Sequence, residues 1–235
     1  MGIKERQERD RQAVRAAILD AARDLFVAEG YRNVSMRKVA ERVEYSPAAL
    51  YGYFPNKDAI FFALAEEGFR LLAAAERAAT TAQADPYERL RLALGAFSDF
   101  AHGHPQYFEL MFLDRSVPSL DQDPQRFAFF RDTTARAESC IRDCIEDGRF
   151  SRDLDPSAAL RILWAAVLGA ATAGLGRRLS PGEDVRALAR DVLEAVLAGF
   201  TTPLHTTFIV APCPVHPAGD AEASLPAAEV PHHAS

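Results

Sequence analysis

Along the chain a short capping side chain repeatedly stands directly before a proline, as at Ser46-Pro47, Asp85-Pro86, Asp123-Pro124, Asp155-Pro156 and Ser180-Pro181. Each pair reads as a helix start. The side-chain oxygen accepts an N–H that the first turn leaves without a partner, and proline at the first helical position has no N–H to lose. Between these starts apolar residues recur at three- and four-residue intervals: Val14, Ile18, Ala21 and Leu25; Met36, Val39, Ala40 and Val43; Ile60, Phe61 and Leu64. That is the period of a helix buried on one face, and strand-like alternation is nearly lacking. Gly30 and Gly148 follow helical runs, where a left-handed residue suits a helix end. The expected fold class is all-α, with helices near 11–29, 35–43, 46–53, 56–82, 86–102, 105–113, 124–147, 156–177 and 181–200.

A chain of 235 residues with 49% apolar content is long enough for a sizeable core in one or two domains. Its most apolar window, Ile162 to Leu175, is short for a bilayer span, so a buried helix and no membrane partner are expected. No charged-then-apolar leader pattern opens the sequence, and three cysteines without paired spacing do not make a disulfide framework. A reducing, cytoplasmic setting fits. The formal net charge of -6 at first argues against nucleic acid, but it is unevenly spread. Residues 1–58 hold eleven Lys/Arg against nine Asp/Glu, and the remainder holds sixteen against twenty-four. A mildly basic end on an acidic body confines any DNA contact to the N-terminus. Residues 203–235 carry six of the fourteen prolines, four of the six histidines and no Lys or Arg, the composition of a disordered tail.

The segment from Val34 to Phe54 contains two short helices with a tight connection. Ser35 caps the first and Ser46 the second. Helices this short are not stable alone. They must pack on Val14, Ile18, Leu25 and Phe26 of the preceding helix, which makes a three-helix helix-turn-helix unit. Such a unit presents the start of its second short helix to the major groove. Ser46, Pro47, Ala48 and Ala49 are small enough for the backbone to approach DNA. Tyr51 and Tyr53 offer hydroxyls to phosphates and rings to thymine methyls. Ser35, Arg37 and Lys38 on one side and Lys57 on the other are placed to hold the phosphate backbone. No Arg, Asn or Gln lies within the second helix, so direct base readout is sparse and shape carries much of the specificity.

These residues resemble the TetR family. The match is Leu25-Phe26, Gly30-Tyr31, Val34-Ser35, Val39-Ala40 and Ser46, then Leu50-Tyr51-Gly52-Tyr53-Phe54-Pro55-Asn56-Lys57-Asp58-Ala59. It covers about residues 11–60 with the family's spacing. One position departs from it: the turn place usually held by glycine is Glu44, which is strained if its φ is positive and sets an acid near DNA. The resemblance implies a helix-turn-helix domain over 11–60 and a helical ligand-binding and dimerisation domain over 61–202. It further implies a repressor that leaves a pseudo-palindromic operator in double-stranded DNA when a small-molecule effector binds. The effector would displace the helix that starts at Asn56 and change the separation of the two heads.

In the body, Phe97, Phe100, Tyr107, Phe108, Met111, Phe127 and Phe130 are dense enough to line an apolar cavity for a lipophilic molecule, although aromatics at helical spacing also make ordinary core. Glu109 and Asp114 are candidate partners for a cationic group. The Ala/Gly-rich stretch 158–174 and the leucines and valines of 185–197 suit a four-helix bundle between two copies, giving a homodimer through residues 156–200. His102-Gly103-His104 lacks partners at metal-ligand spacing, Cys140 and Cys144 read as small core residues, and Gly174-Leu175-Gly176 is no dinucleotide motif. No metal, no cofactor and no enzyme activity are expected, since no nucleophile–base pair stands at recognisable spacing. The rival reading is a helical small-molecule-binding module without operator binding.

Overall fold

The computed structural model describes residues 2–118, 128–176 and 179–204, apart from the side chains of Ile3 and of residues 128–131. Within these residues it is all-helical. The elements are α1 (Ile3–Glu29), α2 (Met36–Arg42), α3 (Pro47–Tyr51), α4 (Lys57–Thr80), α5 (Pro86–Gly103), α6 (Pro105–Phe108), α7 (Ala128–Glu146), α8 (Pro156–Leu175) and α9 (Val185–Gly199). A 3-10 turn (Tyr31–Asn33) follows α1, and a π-helical turn (Glu109–Leu113) continues α6.

The caps work as the sequence implies. Ser35 accepts from Lys38 N at 3.2 Å, Ser46 from Ala49 N at 3.1 Å, Asp85 from Tyr87 N at 2.9 Å and Asp155 from Ala158 N at 2.6 Å. Ser180-Pro181 is the exception, because α9 starts at Val185 under Asp184, which accepts from Arg186 N at 2.9 Å. Glu183 instead accepts from Ser180 N at 2.7 Å and closes a turn through Gly182, at φ +95°. The first helix also begins eight residues earlier than expected, at Ile3, and the 105–113 element divides between α6 and the π-helical turn. Asp123-Pro124, nearly all of the 203–235 tail and residues 177–178 lie outside the described residues.

One contiguous core runs from Ile18 and Phe26 of α1, through Leu50, Phe54, Ile60 and Phe61, to Leu163, Leu197 and Phe200. Helix α4 crosses from the N-terminal trihelical unit into the body. It forms an antiparallel hairpin with α5, while α7, α8 and α9 pack against the other faces of α5. At 20 residues α8 is, by length and composition alone, apolar enough to cross a bilayer, more than its inner window suggested. Here it packs against α5, α7 and α9, with 39% of its most apolar window buried.

Candidate nucleic-acid interface and cavity

At the N-terminal unit, Leu50 and Phe54 are buried against α1 and α2, and this anchoring turns the start of α3 outward. Ser46, Pro47, Ala48 and Ala49 are all exposed, and Tyr51 is 54% exposed. The expected small, approachable surface is therefore present at the N-terminal end of α3. Glu44 holds φ +59°, the left-handed conformation that its place in the turn demands.

Several polar candidates are already engaged. Ser35 and Ser46 spend their oxygens on caps, which leaves each O–H to donate outward. Arg37 pairs with Glu41 at 2.8 Å and Lys38 pairs with Glu29. Exposed pairs of this kind are weak and open at little cost. Lys57 donates to the Tyr31 carbonyl at 2.7 Å and lies 4.1 Å from the Tyr31 ring centroid. It is first an anchor of α4, with its remaining N–H groups available to a phosphate. Burial and the neighbouring Asp58 carboxylate, which the Tyr31 hydroxyl meets, push that phenol well above its ordinary range. Tyr53 is half-buried, with the Arg11 guanidinium 5.8 Å from its ring centroid.

Three residues of this surface were missed from the sequence. Tyr45 is 40% exposed beside Ser46, and Arg11 reaches the Gly52 carbonyl at 3.5 Å. Arg15 stacks its guanidinium 5.0 Å from the Phe54 ring centroid. The available signal was the four-residue step from Arg11 to Arg15, which puts two guanidinium groups on one helix face.

In the body, α4, α5, α7 and α8 enclose a cavity of about 250 Å³. Of the seven expected ligand residues, Phe97 lines it. Phe100, Tyr107, Phe108 and Met111 are buried but do not line it. Tyr107 faces α1, where its hydroxyl accepts from Arg23 at 3.0 Å, and Met111 and Tyr107 pack on Gly68 of α4. Phe127 and the Phe130 side chain lie outside the described residues. Helical spacing identifies an inward face without telling which part of that face meets a void. Glu109 is exposed and Asp114 accepts from Ser116 N at 2.8 Å, and neither lines the cavity.

The cavity's inner aromatic wall is Phe69, Phe97 and Trp164, and Phe112 of the π-helical turn packs against all three at centroid distances of 5.4–5.8 Å. Its polar part, missed from the sequence, contains Glu76, Arg89, Arg136 and Cys140. Burial pushes the Glu76 carboxyl up to about 7, against the opposing pull of Arg136 and Arg77. Burial also raises the Cys140 thiol, with Arg89 beside it pulling the other way. Cys144 is fully buried and its thiol is pushed up to about 11 by burial, as suits a core residue. Among the described residues no three His, Cys, Asp or Glu side chains come together as a metal site.

The chain is similar to known regulators over both parts. A family model described as bacterial regulatory proteins, tetR family, matches residues 18–64, and one described as tetracyclin repressor-like, C-terminal domain, matches residues 90–196. The HTH-type transcriptional repressor KstR of Rhodococcus jostii is 31% identical over 174 residues, 71% of this chain and 74% of that protein. The HTH-type transcriptional activator FasR of Mycolicibacterium smegmatis is 30% identical over 131 residues, so the match spans 56% of this chain and 58% of FasR. The crystal structure of PfmR from Thermus thermophilus, a TetR family transcriptional regulator, superposes with a TM-score of 0.61 at 26% identity, covering 77% of this chain and 93% of PfmR.

Proposed function

The chain belongs to the tetR family of bacterial regulatory proteins, DNA-binding transcription regulators with a helix-turn-helix, and from that premise we propose that it is a cytoplasmic homodimer whose grip on operator DNA is set by a small ligand in the α4–α5–α7–α8 cavity. The observation that carries this reading is the double role of α4. Its first residue, Lys57, is tied to Tyr31 in the N-terminal unit, and its later turns, from Phe69 to Thr80, wall the cavity. A ligand that parts α4 from α5 therefore acts on the helix that carries the head.

The DNA surface comprises Ser46, Pro47, Ala48, Ala49, Tyr51 and Tyr53 toward the groove, with Ser35, Arg37, Lys38 and Lys57 toward phosphates. We divide the chain functionally at residue 60, with the head before it and the ligand and dimer elements after it. The second copy covers the small-residue face of α8 and α9, where Ala165, Gly169, Ala195 and Gly199 are exposed. The sign we favour is repression relieved by ligand. It follows KstR, named a repressor, whose match is longer than that of FasR, named an activator. For release to follow, the ligand must bind the DNA-incompetent arrangement more tightly than the competent one.

The test is selection of binding sites from random duplex DNA at two salt concentrations. A pseudo-palindrome whose affinity falls as salt rises is the expected result. No enrichment at either salt would instead favour the binding module without operator activity.

A further inference from the structure

The cavity changes character along its length. On α4 its wall passes from Phe69 and Leu72 to Glu76, and on the antiparallel α5 from Phe97 and Leu94 to Arg89. Arg136 of α7 joins the polar end. Arg89 carries the second observation. Its Nε–H is buried without a hydrogen-bond acceptor, one of two such side-chain atoms among the described residues, while another nitrogen of the same guanidinium is held 3.5 Å from Asp143. A buried donor left unmatched favours the arrival of an acceptor, and a guanidinium favours an anionic one.

We propose that the effector is a compact apolar molecule carrying one anionic head, a carboxylate in the simplest case, with its body against Phe69, Phe97 and Trp164 and its head against Arg89 and Arg136. This deepens the reading of the cavity as the effector site and rests on it. A cationic head fits poorly, because it would meet Arg77, Arg89 and Arg136 with Glu76 as its one acidic partner in the lining. That partner is itself held largely uncharged below neutral pH, when it has an O–H to offer an anion. The volume of about 250 Å³ lies just under the ~300–1,000 Å³ common for small-molecule sites, which limits the enclosed part to one ring or a short chain.

Phenylbutyrate, phenylbutanol and phenylbutylamine share one body and differ in the head. Each is titrated into the full chain below neutral pH, with fluorescence of Trp164, the chain's single tryptophan and a cavity wall, as the readout. The acid is expected to bind at least about tenfold more tightly than the alcohol or the amine, a difference an arginine–carboxylate contact supplies. Arg89→Gln and the exposed Arg136→Gln, each checked for an unchanged Tm, are expected to weaken binding of the acid more than that of the alcohol and so reduce that preference. Equal binding of all three, tighter binding of the amine, or a preference that survives both variants would overturn the head assignment and leave the cavity reading standing. No response of Trp164 to any of the three would overturn the cavity reading and this proposal with it.

Discussion

Glu44 sits where the turn between α2 and α3 needs φ +59°, and it is exposed. A left-handed non-glycine residue costs roughly 1–2 kcal/mol, part of which glycine returns through the entropy of the unfolded chain. Glu44→Gly should therefore stabilise the protein by about 1 kcal/mol in chemical denaturation. It should also tighten DNA binding, because it removes an acid from beside the proposed DNA surface. Glu76 makes the opposite kind of claim. Its carboxyl is raised in the folded chain from 4.5 to about 7, so its favourable contribution is fully present below the lower value and is lost as pH rises through the upper one. The Tm of the wild type should fall across that interval relative to Glu76→Gln, whose profile should be flatter; parallel profiles would contradict the assignment. Capping residues such as Ser46 were legible because a cap is a local rule written in adjacent residues. Glu76 was not, since a charged residue continuing the Phe69–Leu72–Ala73 stripe reads equally as the edge of a solvated face.

Among the elements, α6 and the π-helical turn tie the cavity to the head. Phe112 packs on the aromatic wall of the cavity, while Tyr107 and Gln106 hold Arg23 of α1, with Arg23 Nε donating to Gln106 at 3.1 Å. Gly68 allows this element to lie close on α4: a Cβ there would come within 2.4 Å of Met111 Sδ and 3.0 Å of Tyr107 Cδ1. Gly68→Ala should cost about 1–3 kcal/mol as overpacking, and more DNA affinity than an equally destabilising change at buried Phe150, which lies outside α4, α6 and the proposed dimer helices. The paired measurement is Tm against anisotropy on the selected duplex. Helix starts and apolar faces made most elements readable. The first turns of α1 were not, because residues 4–10 are exposed and polar and so carry no apolar period. The start of α9 was misread because Ser180-Pro181 resembles a cap while Asp184, four residues later, does the capping.

At the scale of the whole molecule, the acidic body and mildly basic N-terminal part favour the N-terminal unit as the proposed DNA site, and among the described residues α8 and α9 leave a face of small residues exposed. The 39% burial of the α8 window is low for so apolar a helix, and the proposed second copy would supply the cover. Ala165→Glu should give monomers by analytical ultracentrifugation with helical content unchanged, and should lose at least about a hundredfold in operator affinity as paired binding becomes single. The all-helical class and the reading head could be read from the sequence, since both follow from local periodicity and caps. The cavity lining could not, because it depends on how four helices distant in sequence fail to fill the space between them.

The central claim is that two heads, fixed by one dimer, read two half-sites on the same face of the duplex. It is tested most directly by anisotropy on the selected duplex, with and without about five base pairs, half a helical turn, inserted between the half-sites. The account predicts that the insertion lowers affinity at least about a hundredfold, toward that of a single half-site. Unchanged affinity would mean that each head binds alone and would contradict it.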